Sequence, residues 1–324
     1  MTRNQMLQYL PTLQPCTVGI EACGTAHHWA RTIGAMGHTV KLIQPMRVKA
    51  FLGQRNKTDA ADAKAICEAL MHPGTTFVRI KTLEQQDMDH LLDRRQRLIE
   101  ERTRIVNQTR AFLAERGIVI PQGVEKFKKA VPEICSEYWD NFSGIFQATI
   151  TDNFADFQRI SDEIERLDGM IKSRAKDNAH CKRLMAIPGI GPLTATALVS
   201  QVNDGKQFKN GRQMAAYIGI TPKEHSSGGK QHLLGITKRG NRRLRTLLIL
   251  AARSVITGIG CRKKDDNGIP HRLSRFDTWV LEMKGRLGIF KAAVAIANKL
   301  TRIAWAVLAR NEEFTVNKAI KDGI

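Results

Sequence analysis

The sequence is short of acid. Its 324 residues hold 51 Lys and Arg against 31 Asp and Glu, a formal charge of +20 with a pI near 10.0. A field of that sign attracts polyanions and favours a long phosphate backbone over a small metabolite. Composition by itself leaves two readings open: an enzyme acting on nucleic acid, and a basic ribosome-like or chromatin-like binder with no chemistry. Paired cysteines are also missing. Cys16, Cys23, Cys67, Cys135, Cys181 and Cys261 form no CxxC pair, which excludes a zinc-finger framework built from them and the histidines. Scattered thiols suit a reducing cytoplasm and are read as buried. No apolar run reaches transmembrane length, and the N-terminus has Arg3 but no signal-peptide core or small-residue cleavage pattern. The expectation is a soluble cytoplasmic protein with no membrane partner.

A further absence bears on chemistry: residues 1–20 contain no Asp or Glu. Glu21 ends a predicted strand, Thr17-Val18-Gly19-Ile20-Glu21, and Asn56-Lys57-Thr58-Asp59-Ala60-Ala61-Asp62-Ala63-Lys64 opens a predicted helix. Asp59 and Asp62, three apart, share one helix face. With a carboxylate from a strand end they form an oxygen set suited to Mg²⁺, the usual metal of phosphodiester chemistry. A nuclease-type site of this kind usually has a fourth acid on an earlier strand. The chain therefore reads as a nucleic-acid enzyme that has lost its front end.

Along the first 80 residues strand and helix alternate: a strand at Thr17–Glu21, a helix from Ala26 to Met36 closed by Gly37, and a strand at Thr39–Ile43. A short helix near Met46 to Leu52, a helix from Asp59 to Leu70 and a short strand from Phe77 to Ile80 follow. This order predicts a parallel α/β sheet, and a thin one. From Leu83 to Glu115 there is neither Pro nor Gly, and apolar pairs recur every seven residues at Leu91/Leu92, Leu98/Ile99, Ile105/Val106 and Phe112/Leu113. A second seam carries Phe157, Ile160, Ile164, Leu167 and Ile171. These long helices pair with each other or with another subunit; the pattern serves either. The fold class is thus α/β followed by mostly α, in three parts: residues 1–80, a helical spacer at 81–178, and a compact helical domain at 179–324.

Two sites in that last part could carry function. Ile187-Pro188-Gly189-Ile190-Gly191-Pro192 opens an apolar helix from Leu193 to Val202. Gly189 and Gly191 could leave backbone N–H groups facing a phosphate, as in half of a helix-hairpin-helix motif, or they simply make a tight turn capping a buried helix. The other site is Pro222-Lys223-Glu224-His225-Ser226-Ser227-Gly228-Gly229-Lys230, where a serine beside two glycines can expose its hydroxyl on a turn. Lys230, Lys238, Arg239, Arg242, Arg243, Arg245 and Arg253 surround it in sequence, and from Lys223 to Lys264 the only acid is Glu224. A helix with a basic start outside and an apolar continuation inside would hold phosphates near the serine. His27-His28 points to two faces, Arg262–Asp266 is read as a solvated loop, and Trp279 and Trp305 as core. The Ala-rich stretch from Ala292 to Ala309 suits close packing, and its sequence suggests no ligand site.

Taken in order, Gly19-Ile20-Glu21-Ala22-Cys23-Gly24, Lys57-Thr58-Asp59-Ala60-Ala61-Asp62-Ala63, Ile187-Pro188-Gly189-Ile190-Gly191, His225-Ser226-Ser227-Gly228-Gly229-Lys230 and Lys238-Arg239-Gly240-Asn241 resemble the insertion-sequence one-ten transposases, and within them the eleven-eleven group. The resemblance covers nearly the whole chain. Its set of motifs is specific although each alone is not. It implies an N-terminal RuvC-like (RNase H fold) DEDD domain, a coiled-coil spacer and a C-terminal transposase domain. It further implies site-specific recombination of DNA guided by a structured RNA, in a homodimer or homotetramer in the bacterial cytoplasm, at the nucleoid. By the same resemblance Glu21, Asp59 and Asp62 match the second, third and fourth letters of DEDD and bind Mg²⁺. Ser227 matches the nucleophile that links covalently to DNA, with Ser226 its competitor one residue away, and the two sites would meet across subunits. The resemblance puts the family's first Asp before this sequence, through either a misannotated start or a decayed gene, so the expectation is a truncated or misannotated member that does not recombine DNA as it stands. The alternatives are a non-catalytic DNA- or RNA-binding remnant and a RuvC-like junction nuclease.

Overall fold

A computed structural model describes residues 2–53, 58–261 and 273–315. It is mostly helical and divides into two compact units, Met1–Leu83 and Glu84–Ile324. The expected loop Arg262–Asp266, and Asn56 and Lys57 of the acidic run, lie outside the described residues.

In the first unit, α1 (Arg3–Tyr9) starts at a capping box in which Thr2 and Gln5 satisfy each other's backbone N–H groups. Then come β1 (Thr17–Glu21), α2 (Ala26–Ala35), β2 (Thr39–Ile43), α3 (Pro45–Leu52), α4 (Asp59–Met71) and β3 (Phe77–Val78). β1 pairs with β2 in parallel, from Thr17 opposite Thr39 to Glu21 opposite Ile43. The expectation of an all-parallel sheet is corrected at β3, which runs antiparallel to β2. One helix between strands returns the chain to the same end of the sheet. Here two helices, α3 and α4, intervene and bring it back reversed. Alternation sorts the strand residues onto two faces. Ile20, Val40 and Leu42 pack with Ala26 and Ala30 of α2. On the other face Ile43 packs with Val48 of α3 and with Ala65, Ala69, Ile66 and Leu70 of α4.

The second unit opens with α5 (Leu83–Ala114), followed by α6 (Val124–Tyr138) and α7 (Gly144–Asp177). The two long helices pair with each other within the chain. Thr109 meets Asn153, Arg94 meets Glu163 and Arg95 meets Asp168, so position rises on one helix as it falls on the other. The seam residues Ile105, Val106 and Leu113 share a cluster with Phe157, Ile160 and Ile164, which α6 closes with Phe127, Val131 and Ile134. The remaining helices are α8 (Ala179–Met185), α9 (Pro192–Val202), α10 (Gly211–Ile218), α11 (Arg242–Cys261) and α12 (Arg275–Ala309), with a hairpin of β4 (Pro222–Glu224) and β5 (Leu233–Ile236) between α10 and α11. Leu92, Leu198, Met214, Leu244, Leu248, Leu300 and Leu308 belong to one continuous core. Helix α12 breaks at Gly288, whose φ of 72° and ψ of 166° leave helical geometry. By length and hydropathy α12 could span a membrane, but 56% of its most apolar window is buried inside the fold.

The thiols depart from expectation. Cys181 is buried and Cys135 half-buried, whereas Cys16, Cys23 and Cys67 are exposed. Their positions on a thin sheet and on the outer side of α4 leave too little cover to bury them. Burial pushes the Cys181 thiol up to about 11.

Candidate functional site

The acids come first. Gly19 and Glu21 are two apart on β1 and so project from the same sheet face. That face carries α4: a Cβ on Gly19 would stand 3.0 Å from Ile66 and 3.3 Å from Leu70. Asp62 lies one turn before Ile66, and Asp59 nearly one turn earlier, in the N-terminal turn capped by the Thr58 hydroxyl. Glu21 and Asp62 are half-buried and Asp59 is exposed. Strand and helix thus bring the three carboxylates to one face of the first unit. Among the described residues, however, no three His, Cys, Asp or Glu side chains stand together as an ion-holding group. A Mg²⁺ site needs fewer, since that ion typically takes one or two protein carboxylates and fills its octahedron with water and substrate phosphate.

The serines lie at the turn of the β4–β5 hairpin. Gly228 and Gly229 both have positive φ, 56° and 76°, and the Lys230 amide donates to the Ser227 carbonyl at 3.1 Å. Two left-handed residues inside a closed four-residue turn match the hairpin twist, and only glycine adopts them at no steric cost. The two hydroxyls differ. Ser226 Oγ donates to Glu224 Oε1 at 2.6 Å and accepts from the His232 amide at 3.3 Å. The Ser227 hydroxyl is exposed and has no hydrogen-bond partner among the described residues. The bond between Ser226 and Glu224 was missed from the sequence, although Glu224 is the only acid from Lys223 to Lys264 and lies two residues before Ser226, a signal that could have found it.

The basic residues expected to line this site divide into two groups. Lys230, Lys238, Arg239 and Arg242 are exposed. Arg243 is not free for phosphate: its guanidinium donates to Asp89 at 3.2 Å and also to Asp93, with 14% of the side chain exposed. Arg245 donates to the carbonyls of Ile218 and Arg239 at 3.1 and 3.0 Å, fastening the loop before α11. That loop approaches α10 closely. Gly240 has φ of 79°, and a Cβ there would overlap the Tyr217 carbonyl oxygen.

The glycine turn before α9 also shows a packing role. Gly189, with φ of 81°, sits against α11 so tightly that a Cβ would lie 2.6 Å from the Ala251 carbonyl oxygen. Ile187 and Ile190 are buried beside it, while Gly191 faces open space as the α9 N-cap. His27 and His28 go separate ways, to the Lys81 amide at 3.2 Å and to Arg3 at 2.9 Å. Trp305 is core, donating to the Phe208 carbonyl at 3.2 Å. Trp279 is half-buried against the same core.

A model described as the Transposase IS116/IS110/IS902 family matches residues 181–263, and a DEDD transposase model matches residues 2–117. The transposase for insertion sequence element IS1111A of Coxiella burnetii is 36% identical over 315 residues, 96% of this chain and 84% of that protein. A probable family 20 transposase of Pseudomonas aeruginosa is 37% identical over 311 residues, covering 96% and 89%. The pilin gene-inverting protein of Moraxella bovis is 27% identical over 315 residues, covering 91% and 80%. With transposase models on both units and relatives aligned over almost its whole length, the chain belongs to the IS110/IS116/IS902 family of insertion-sequence transposases.

Proposed function

We propose that this transposase exchanges DNA strands through a covalent protein–DNA intermediate with Ser227 as nucleophile. The observation that carries the reading is the Ser227 hydroxyl, exposed and unbonded at a fixed glycine turn, with Lys230, Lys238, Arg239 and Arg242 exposed in the segments that follow it. As Ser227 Oγ bonds to phosphorus, one P–O bond of the DNA breaks, its oxygen leaves with a proton, and the phosphodiester is conserved in the adduct. The exposed cations hold the flanking phosphates and offset charge at the attacked one. Arg243 and Arg245 hold the start of α11 rigid beneath them.

Residues 1–80 act as a RuvC-like domain of RNase H type, residues 81–178 as a coiled-coil spacer, and residues 179–324 as the transposase domain. In the first, Glu21, Asp59 and Asp62 would hold Mg²⁺, which polarises phosphoryl oxygens when bound. A structured RNA guides the enzyme, and a homodimer or homotetramer brings one subunit's acids to another's serine. The charge of +20 supports partnership with two polyanions at once.

The 2.6 Å bond between Ser226 and Glu224 favours a second reading, in which Ser226 attacks and Glu224 takes its proton. A covalent-adduct assay with Mg²⁺, element-end DNA and candidate guide RNA separates the two. Loss of adduct in Ser227→Ala alone supports the first reading; loss in Ser226→Ala and Glu224→Gln, with Ser227→Ala active, supports the second. Salt-sensitive binding with no adduct from any form would mark the chain as a binding protein. A nuclease would ignore both serines and fail with Asp59→Asn or Asp62→Asn.

A further inference from the structure

Between the β4–β5 hairpin and α12 lies a groove of about 1020 Å³. Its walls are apolar, with Leu234 and Ile236 from β5 and the rings of Trp279 and Phe290 from α12. Phe290 is 74% exposed and Leu234 45%, so the described residues leave this surface uncovered. The polar lining is one-sided in charge: Lys291, Lys299 and Arg302 contribute, and among the described residues no acid does.

Arg302 is an unusual member. Its Nε is buried without a hydrogen-bond partner among the described residues. A Cβ on Gly211 would stand 2.9 Å from the Arg302 Cα, so the start of α10 presses on α12 at this point. Burial, with Arg212 adding repulsion, pulls the Arg302 guanidinium below its ordinary value. A half-buried cation with one unpaired nitrogen is stabilised by an anion from outside.

Aromatic and apolar walls take a flat, weakly polar face, and a purely cationic lining takes phosphate. A nucleotide strand with unstacked bases offers both. The position of the groove narrows the choice further. The β-strand that forms its wall runs into the turn that carries Ser227, and Leu234 lies five residues beyond Gly229. At roughly 3.4 Å per residue that is on the order of 17 Å. DNA rises by about 3.4 Å per step, so a strand seated on Ser227 reaches the groove within about five nucleotides.

We propose that this groove binds an unstacked segment of the DNA strand attacked at the hairpin, with bases against Phe290 and Trp279 and phosphates on Lys291 and Arg302. The inference rests on the reading of the hairpin as the DNA-attacking site. Holding an opened strand there would keep the broken end from re-stacking while its partner is exchanged.

The test uses the full chain and a single-stranded DNA of about twelve nucleotides carrying 2-aminopurine, since stacking on aromatic side chains tolerates any sequence. Wild-type protein should quench the fluorescent base. Phe290→Ala should abolish the quenching and weaken strand binding between about fivefold and a hundredfold, with duplex binding unchanged. Leu234→Ser, also on an exposed position, should act in the same direction, and Lys291→Gln should lower the salt slope by about one. Unchanged quenching and affinity in Phe290→Ala would overturn the proposal. So would Phe290-dependent binding that prefers an RNA strand of the same sequence, or self-association abolished by Phe290→Ala with strand binding intact. The adduct assay is a separate readout. Adduct formed with strand binding insensitive to Phe290 sinks the groove alone; quenching retained with no adduct sinks the serine reading alone.

Discussion

In the first unit the candidate acids stand on a strand and on the helix that covers it, in a fold whose interior is split into two small clusters, one around Ile43 and one around Leu42. In the second unit the serines ride a hairpin on the larger of two clusters, a continuous core that runs from Leu92 to Leu308. β1, which carries Glu21, has β2 on one side and no strand on its other among the described residues. The serine hairpin is pinned at both ends, by Gly219 and Gly240 packed backbone to backbone and by Arg245 tied to two carbonyls. The contrast teaches that the two proposed chemistries make different demands. Carboxylates that share an ion with a phosphate can be drawn together by that ligand, whereas a nucleophile must be aimed before the substrate arrives.

Several measurements would break or sharpen this contrast. The largest effect is expected from Ser227→Ala, which should lower adduct formation by on the order of 10³-fold or more while leaving DNA affinity and unfolding unchanged. The same deletion in both cores comes next. Leu300→Ala should cost about 4 kcal/mol in denaturant unfolding and Leu42→Ala about 2 kcal/mol, because a small cluster collapses around a void more readily than a continuous core. Equal costs would remove the distinction between the units. Arg243→Ala should destabilise by about 3 kcal/mol, since it takes the cation from the mostly buried Asp89, which keeps the neutral Gln201 amide at 2.8 Å, and should leave the salt slope of DNA binding untouched. Arg242→Gln should do the reverse, lowering that slope by about one with no change in stability.

The smallest effect concerns acid. Hydrogen bonds from Arg166 and Arg94 hold the Glu163 carboxyl down to about 2. A depressed carboxylate contributes its stability above the ordinary range and loses it as pH falls through the depressed value. Pairing of α5 with α7 should therefore loosen between about pH 4 and pH 2, seen as faster amide exchange along α7. Glu163→Gln should flatten that dependence.

Much of this was legible in the residues. Alternation and glycine placed β1 and β2 at their observed bounds, and the Pro- and Gly-free run from Leu83 placed α5 to within a residue. Local signals suffice for such elements because their periodicity is written along the chain. The direction of β3 was not legible, since it depends on how α3 and α4 pack rather than on any residue within the strand. The partner of Arg243 could not be read either, because Asp89 lies 154 residues away. Among the site residues, the turn at Gly228 and Gly229 announced itself. The unequal bonding of Ser226 and Ser227 and the groove beside α12 arise only where distant segments meet, and the alanine-rich composition of α12 gave no hint of the latter.

The exposed thiols give the first unit built-in reporters. Cys23 follows Glu21 by two residues and Cys67 lies on α4, which carries Asp59 and Asp62. Spin labels or fluorophores attached there would register the approach of strand and helix as a distance, with no new cysteine introduced. Cys181, with its thiol raised to about 11, stays largely protonated and slow to label at neutral pH. The same exposure makes the first unit sensitive to oxidants, so the protein's behaviour with metal and DNA should be compared with and without reductant.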